Sequence, residues 1–384
     1  MLACQTNTDL ARLATSGIRR FTALANQTPG CVKLTLGEPE FDTPEPVREA
    51  VAESLSRGLT HYPPNNGRPE LLAALSAYMR GHGLSYDVDE IIVTCGATEA
   101  LSASLLALLN PGDEVIVPVP AFGLYETTVR AAHGTCVPFD TSEYGFQIRE
   151  DELESVISPR TRAIIITSPN NPTGCIYTPK TLDAVANCAA RHGFCVICDD
   201  VYNRLVYDAG YERFAVRHPE LREQTIVVDS FSKPWAMTGW RLGWLAAAPS
   251  LKSQVEKMHQ YLVSSVPAFL QDAAVVALGL GIDEMVATYN SRRDRVCSQL
   301  DAMGLSFNSP GGAFYAFPRI DSFGMSSEEF CERAIREAGV ALVPGSCFGV
   351  EGFARLSYCV SDSDLEIGLE RLGEFISSLG GVSL

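Results

Sequence analysis

The chain has 384 residues, 46% of them hydrophobic and 20% charged, so it is too long for one small binding module and too apolar to stay disordered. With 30 basic residues against 46 acidic ones, the net charge of −16 repels nucleic acid and anionic lipid, and no Lys/Arg-rich run makes a local exception. An anionic ligand must therefore be held by a few placed groups rather than by the overall field.

In chain order, short apolar runs predict strands at 90–94, 114–117, 163–167, 195–198 and 225–228, with helical patterns at 98–109, 124–132 and 179–191 between them. This βαβ rhythm predicts a parallel sheet covered on both faces, with ligands at the strand ends where loops and helix N-termini converge. Past Val263 the pattern changes to a helical stretch over 271–303, the run Gly311-Gly312-Ala313-Phe314-Tyr315-Ala316-Phe317, and a helix over 326–338. The expected fold class is α/β, with a mostly parallel sheet in a large domain (41–275) and a smaller α+β domain built from 1–40 and 276–384.

In a short secreted chain, 12 cysteines would suggest a disulfide framework. The opening Met1-Leu2-Ala3-Cys4 lacks a basic stretch ahead of an apolar one, and no apolar run is long enough to span a bilayer. Free thiols in a reducing cytoplasm are the expectation. Cys195 and Cys198 have redox-motif spacing, but residues three apart on a strand face opposite sides, so neither a shared metal nor a disulfide is expected.

The strongest chemical signal is Ser230-Phe231-Ser232-Lys233-Pro234-Trp235-Ala236-Met237-Thr238-Gly239-Trp240-Arg241. A lysine after a strand is commonly a solvated surface residue. This one follows an apolar strand, is flanked by hydroxyls and has a nearby arginine. A lysine in a partly desolvated, cationic setting has a lowered pKa and can form a Schiff base, while the hydroxyls and guanidinium suit a phosphate. Together they point to an aldehyde cofactor that carries a phosphate. Asp199-Asp200-Val201-Tyr202 places a carboxylate and a phenol at the end of a strand. Such an Asp can simply cap a turn, or it can keep a pyridine nitrogen protonated. Ser168-Pro169-Asn170-Asn171-Pro172-Thr173-Gly174 reads by itself as a turn, and Cys95-Gly96-Ala97-Thr98 as a helix opening whose N–H groups can face an anion.

With these motifs in this order, the sequence resembles the class I, aspartate aminotransferase-like family of fold-type I pyridoxal 5'-phosphate (PLP) aminotransferases. The likeness runs from Leu34-Thr35-Leu36-Gly37-Glu38-Pro39 to Arg355-Leu356-Ser357-Tyr358, nearly the whole chain. It implies a three-layer α/β/α fold and a homodimer with shared sites. It implies that Lys233 forms the Schiff base and shuttles the proton, with Asp199 on the pyridinium nitrogen and Asn171 and Tyr202 on the phenolic oxygen. Phe122 would stack on the ring. Gly96, Ala97, Thr98, Ser230 and Arg241 would hold the phosphate, and Tyr62 would reach the phosphate of the neighbouring subunit. Arg355 would bind the substrate α-carboxylate, with Gly37 contributing a backbone contact.

Dicarboxylate-specific relatives place a second cation near the far end of the substrate. Here the helix-opening position is Thr98, and the segment Met258-His259-Gln260-Tyr261-Leu262-Val263-Ser264-Ser265 has no Arg. A carboxylate buried without a cation is expensive. The expected substrates are therefore an aromatic or broadly neutral L-amino acid and a 2-oxo acid such as 2-oxoglutarate. A PLP-dependent C–S β-lyase, an aspartate aminotransferase and a non-catalytic sensor domain are the alternatives.

Overall fold

The computed structural model describes residues 17–380. The opening Met1-Leu2-Ala3-Cys4, read above as carrying no leader, lies outside the described residues. Strand β1 (Val32–Lys33) is short. The main sheet has seven strands: β2 (Ile91–Thr94), β3 (Glu114–Val119), β4 (Thr135–Asp140), β5 (Thr161–Thr167), β6 (Cys195–Asp199), β7 (Thr225–Ser230) and β8 (Gly243–Ala247). Their spatial order is β2-β8-β7-β6-β5-β3-β4. All neighbours are parallel except β8, which runs antiparallel to both β2 and β7.

Alternation along the strands splits the core in two. Cys195 and Ile197 join Val115, Val117, Ala163 and Ile165 on one face, while Val196 and Cys198 join Ile116, Ile164 and Ile166 on the other. The two thiols thus face opposite sides, as alternation requires, and the described cysteines are all free. Helices cover both faces. The Pro179–His192 helix shows why such segments start and stop where they do. Thr178 caps it by accepting the Thr181 N–H, Pro179 pre-sets the first turn, and Gly193 ends it in the left-handed region.

The remaining strands are β9 (Tyr315–Ala316), β10 (Val340–Ala341), β11 (Val343–Pro344) and β12 (Ala354–Ser357). β1 pairs in parallel with β10, and β11-β12-β9 form a small antiparallel sheet that carries Arg355. The helix expected over 271–303 is two helices, Ala268–Leu278 and Asp283–Ala302. Gly279 and Gly281 break it, because glycine forfeits more backbone entropy in a helix than other residues. Among the described residues, no helix is long and apolar enough to cross a membrane.

Candidate active site

Strands β2, β3, β5, β6 and β7 all deliver their carboxyl ends to one edge of the sheet, where a cavity of about 290 Å³ opens. A larger groove of about 750 Å³ lies elsewhere, and Arg191 pairs there with Glu150 at 2.9 Å and with Glu154 at 2.8 Å. The smaller cavity is the one with buried uncompensated groups.

Lys233 follows β7 in a turn held from below by the fully buried Phe231 and Trp235, ring centroids 5.2 Å apart. Its Nζ donates to the Gly37 carbonyl at 2.6 Å and lies 5.7 Å from the Tyr202 ring. Burial lowers its pKa to about 8, and the charges of Arg355 and Arg241 push the same way. Gly37 itself has no room for a side chain, since a Cβ there would lie 2.0 Å from the Tyr315 hydroxyl.

At the end of β6, alternation sends the two aspartates to opposite sides. Asp199 lines the cavity and accepts a hydrogen bond from the Tyr125 hydroxyl at 2.7 Å. Burial lifts its pKa to about 6, against the pull of Tyr125 and the Val201 N–H. Asp200 points away and pairs with buried Arg213 at 2.7 Å, which also faces Asp229 at 3.6 Å. Tyr202 shares a 2.7 Å hydrogen bond with Tyr315.

Arg355 is 1% exposed. Its Nη1 donates to the Asn171 side-chain oxygen at 2.9 Å, its Nη2 donates to the Thr35 carbonyl, and its guanidinium stacks on Tyr315 and Phe348 at 4.6 and 5.0 Å. Its Nε has no partner, and among the described residues no carboxylate pairs with it. A buried guanidinium in that condition is a seat for an anion.

On the opposite wall, Ala97 and Thr98 open the Gly96–Leu108 helix toward the cavity, with Ser230, Ser232 and Arg241 nearby. Gly96 lies just behind the lining at φ +73°, and a Cβ on it would come within 2.8 Å of Arg241 Nη2. Helix N–H groups, hydroxyls and a guanidinium converge there, with no carboxylate paired to Arg241 among the described residues: a second anion seat. Phe122, just past β3, forms a side wall.

The cavity therefore gathers Gly37, Ala97, Thr98, Phe122, Asn171, Asp199, Tyr202, Ser230, Lys233, Arg241 and Arg355 from the residues expected by sequence. Tyr62 is not among them and stands 89% exposed on the surface. Tyr125, Tyr315 and Thr238 also line the cavity but were not foreseen, and Ser232, read above only as a hydroxyl beside the lysine, joins them. Ser232 and Thr238 lay inside the quoted lysine motif. Tyr125 gave no signal, because a tyrosine on the inner face of the amphipathic Leu124–Ala131 helix reads as core.

A family model described as aminotransferase class I and II matches residues 29–372. Aromatic-amino-acid aminotransferase 2 of Thermococcus litoralis is 40% identical over 368 residues, covering 93% of this chain and 94% of its own. Aspartate aminotransferase of Pyrococcus abyssi is 39% identical over 367 residues, covering 93% and 94%. Aspartate aminotransferase of Thermus thermophilus, solved with maleate, has a TM-score of 0.92 at 34% identity, covering 97% of this chain and 100% of its own.

Proposed function

The chain belongs to the class I and II aminotransferase family, a pyridoxal-phosphate-dependent family of enzymes; from that premise we propose that it moves an amino group between an L-amino acid with an aromatic or other neutral side chain and a 2-oxo acid such as 2-oxoglutarate. The observation that carries this reading is Arg355, a buried cation without an acid partner, in the same cavity as a lysine of lowered pKa.

The residues present fit the cofactor. One anion seat lies where a Cβ on Gly96 would collide with Arg241, and the other lies at the unpartnered Nε of Arg355. When bound, the cofactor supplies an aldehyde carbon and an electron-withdrawing ring, which no side chain provides. Ala97, Thr98, Ser230 and Arg241 would hold its phosphate, Phe122 would cover its ring, and Lys233 would hold its aldehyde carbon. Asp199, ionised, would accept a hydrogen bond from the ring nitrogen. Asn171 and Tyr202 would donate to the phenolic oxygen. Arg355 orients the substrate α-carboxylate through a two-pronged pair, for which guanidinium geometry is suited. Once a substrate amine has displaced it from the aldehyde carbon, Lys233 Nζ would be free to take the proton from the substrate α-carbon, a role that suits an amine whose pKa lies near working pH.

Substrate class follows from what surrounds the far end. Ile18, Leu101 and Leu124 line the cavity, Thr98 stands at the helix opening, and no second cation beyond the arginines already assigned lines the cavity among the described residues. His259 is fully buried and cannot reach a neighbouring site. A homodimer is supported by Tyr62 and Tyr261, 89% and 84% exposed, on segments joined by the Asn65 amide donating to the Ser264 carbonyl. In that assembly Tyr62 serves the phosphate of the second copy. We take residues 41–275 as the cofactor-holding unit and 1–40 with 276–384 as the unit that brings Gly37 and Arg355 to it.

The test is a screen of the 20 amino acids with 2-oxoglutarate as acceptor. Phenylalanine and tyrosine are expected to exceed aspartate in kcat/KM. An aspartate preference of about tenfold, or about 1.4 kcal/mol, overturns the neutral-substrate reading.

A further inference from the structure

His259 takes no part in the chemistry above, yet it is fully buried on the Pro249–Leu262 helix, and both ring nitrogens face acceptors. Nδ1 lies 3.2 and 3.3 Å from the two Glu99 carboxylate oxygens, and Nε2 lies 2.8 Å from the Asn65 carbonyl. A neutral imidazole has one N–H and can satisfy only one of these. Glu99 Oε2 also accepts the Cys95 N–H at 3.1 Å, so that carboxylate is already turned toward donors. The ring must donate twice.

The two ends of this contact belong to different machinery. Glu99 sits in the first turn of the Gly96–Leu108 helix, and through the Cys95 N–H it fixes the turn that presents Ala97 and Thr98 to the cavity. Asn65 belongs to the His61-Tyr62-Pro63-Pro64-Asn65-Asn66-Gly67 loop, from which Tyr62 projects. The same helix grips that loop a second time, with the Asn66 amide donating to Glu256 at 2.7 Å and Lys252 pairing with Glu256 at 2.8 Å.

We propose that His259 is a positioning residue: as a buried imidazolium it clasps the Tyr62 loop to the helix N-terminus that cradles the cofactor phosphate. One charge pair thus sets both the cradle of a protomer's own site and the tyrosine it offers to the second copy. The part concerning Tyr62 rests on the reading given under Proposed function. The facing ionisable groups agree with the assigned charge: Glu99 from the neighbouring helix and Glu256 from its own. Burial pulls the imidazole pKa down, but the Glu99 hydrogen bond and charge, with the Asn65 carbonyl, outweigh it and leave the pKa raised.

The experiment has three arms on the holoenzyme and its stripped form. In the first, NMR of protein with 15N-labelled histidine, the His259 signals being assigned through His259→Gln, is expected to show the ring mostly protonated on both nitrogens at about pH 6.5, the ordinary midpoint of a histidine. A singly protonated ring overturns the proposal. In the second, His259→Gln is expected to weaken affinity for pyridoxal phosphate about tenfold while leaving affinity for pyridoxal, which lacks the phosphate, within twofold. Equal losses for both ligands, or no loss, overturn it. Glu99→Gln, with His259 kept, should by itself retain most of the affinity, because its amide donates to a neutral His259 Nδ1 and its oxygen still accepts the Cys95 N–H; this variant keeps the test open if His259→Gln folds poorly. In the third, Tyr62→Phe should cost less in the His259→Gln background than in the parent, and equal costs in both remove the coupling. If Tyr62→Phe alone leaves phosphate affinity unchanged, the shared-site reading fails while the first two arms still decide the clasp.

Discussion

At the residue scale, the two neighbouring aspartates of β6 show how one step along a strand separates chemistry from stability. Asp199 faces the cavity beside Lys233, and Asp200 is buried against Arg213 and Asp229. Asp199→Ala removes a charge pair that acts in a water-poor site and is expected to lower kcat at least about a hundredfold with little change in Tm. Asp200→Ala leaves Arg213 short of its closest partner and is expected to cost about 3–5 kcal/mol of stability, by the logic of a broken buried pair. The variant that still folds should turn over normally. Thermal melts and steady-state kinetics on both proteins separate the two effects, and equal kcat losses would place the chemistry on the wrong aspartate. Arg355 gives the complementary case. Arg355→Ala should cost about 2–5 kcal/mol in kcat/KM for every amino acid alike, since all share the α-carboxylate. Arg355→Lys should recover only part, because the two-pronged geometry is lost. Unchanged kcat/KM in the alanine variant would remove the carboxylate anchor.

At the scale of elements, the parallel strands were legible because each is a short run of Val, Ile and Cys buried on both faces, as at 195–198. β4 was not, because Pro138 and its exposed residues mark an edge strand, which lacks a continuous apolar signature. β8 begins on Gly243 and ends on alanines, residues with little strand preference, so only its partners β2 and β7 give it its form. The site was legible where hydroxyls, lysine, asparagine and arginine follow strands in fixed order. It was illegible at Tyr125 and His259, whose roles arise from contacts distant in sequence. β8 also yields a prediction. A Cβ on Gly243 would lie 2.7 Å from the Asp229 carbonyl, 3.0 Å from Gly96 C and 3.1 Å from Ala97 N. All three are backbone atoms, so the phosphate-cradling turn must shift. Gly243→Ala is expected to cost about 1–3 kcal/mol by overpacking and to loosen cofactor retention, whereas Gly239→Ala, with nothing within 4 Å, should be silent in both measurements.

For the whole molecule, three buried groups give the cofactor-free chain a pH dependence of one sign. Burial raises Asp199 to about 6 and Asp229 to about 8, and Glu99 keeps His259 above the ordinary histidine value. In each case the folded state holds its proton to higher pH than the unfolded chain, so the stabilisation is complete below the unfolded pKa and is lost as pH rises through the folded one. The carboxylates whose pKa values are lowered titrate below this range. Cofactor-free protein is therefore expected to melt at progressively lower temperature from pH 5 to pH 7, above which Lys233, whose pKa burial lowers to about 8, begins to act with the opposite sign. A Tm that rises over that interval would contradict the assignment. The antiparallel strand described above also has a consequence for the order in which the sheet can be completed. Among the described residues, strand β2 has β8 as its only sheet neighbour, and β8 in turn needs β7. During synthesis, Ile91–Thr94 emerges early and waits with both its edges open until Gly243–Ala247 has left the ribosome. The helix that cradles the phosphate follows directly on β2, so a nascent chain has no assembled cofactor seat until about two-thirds of it has been translated, however early the residues of that seat appear.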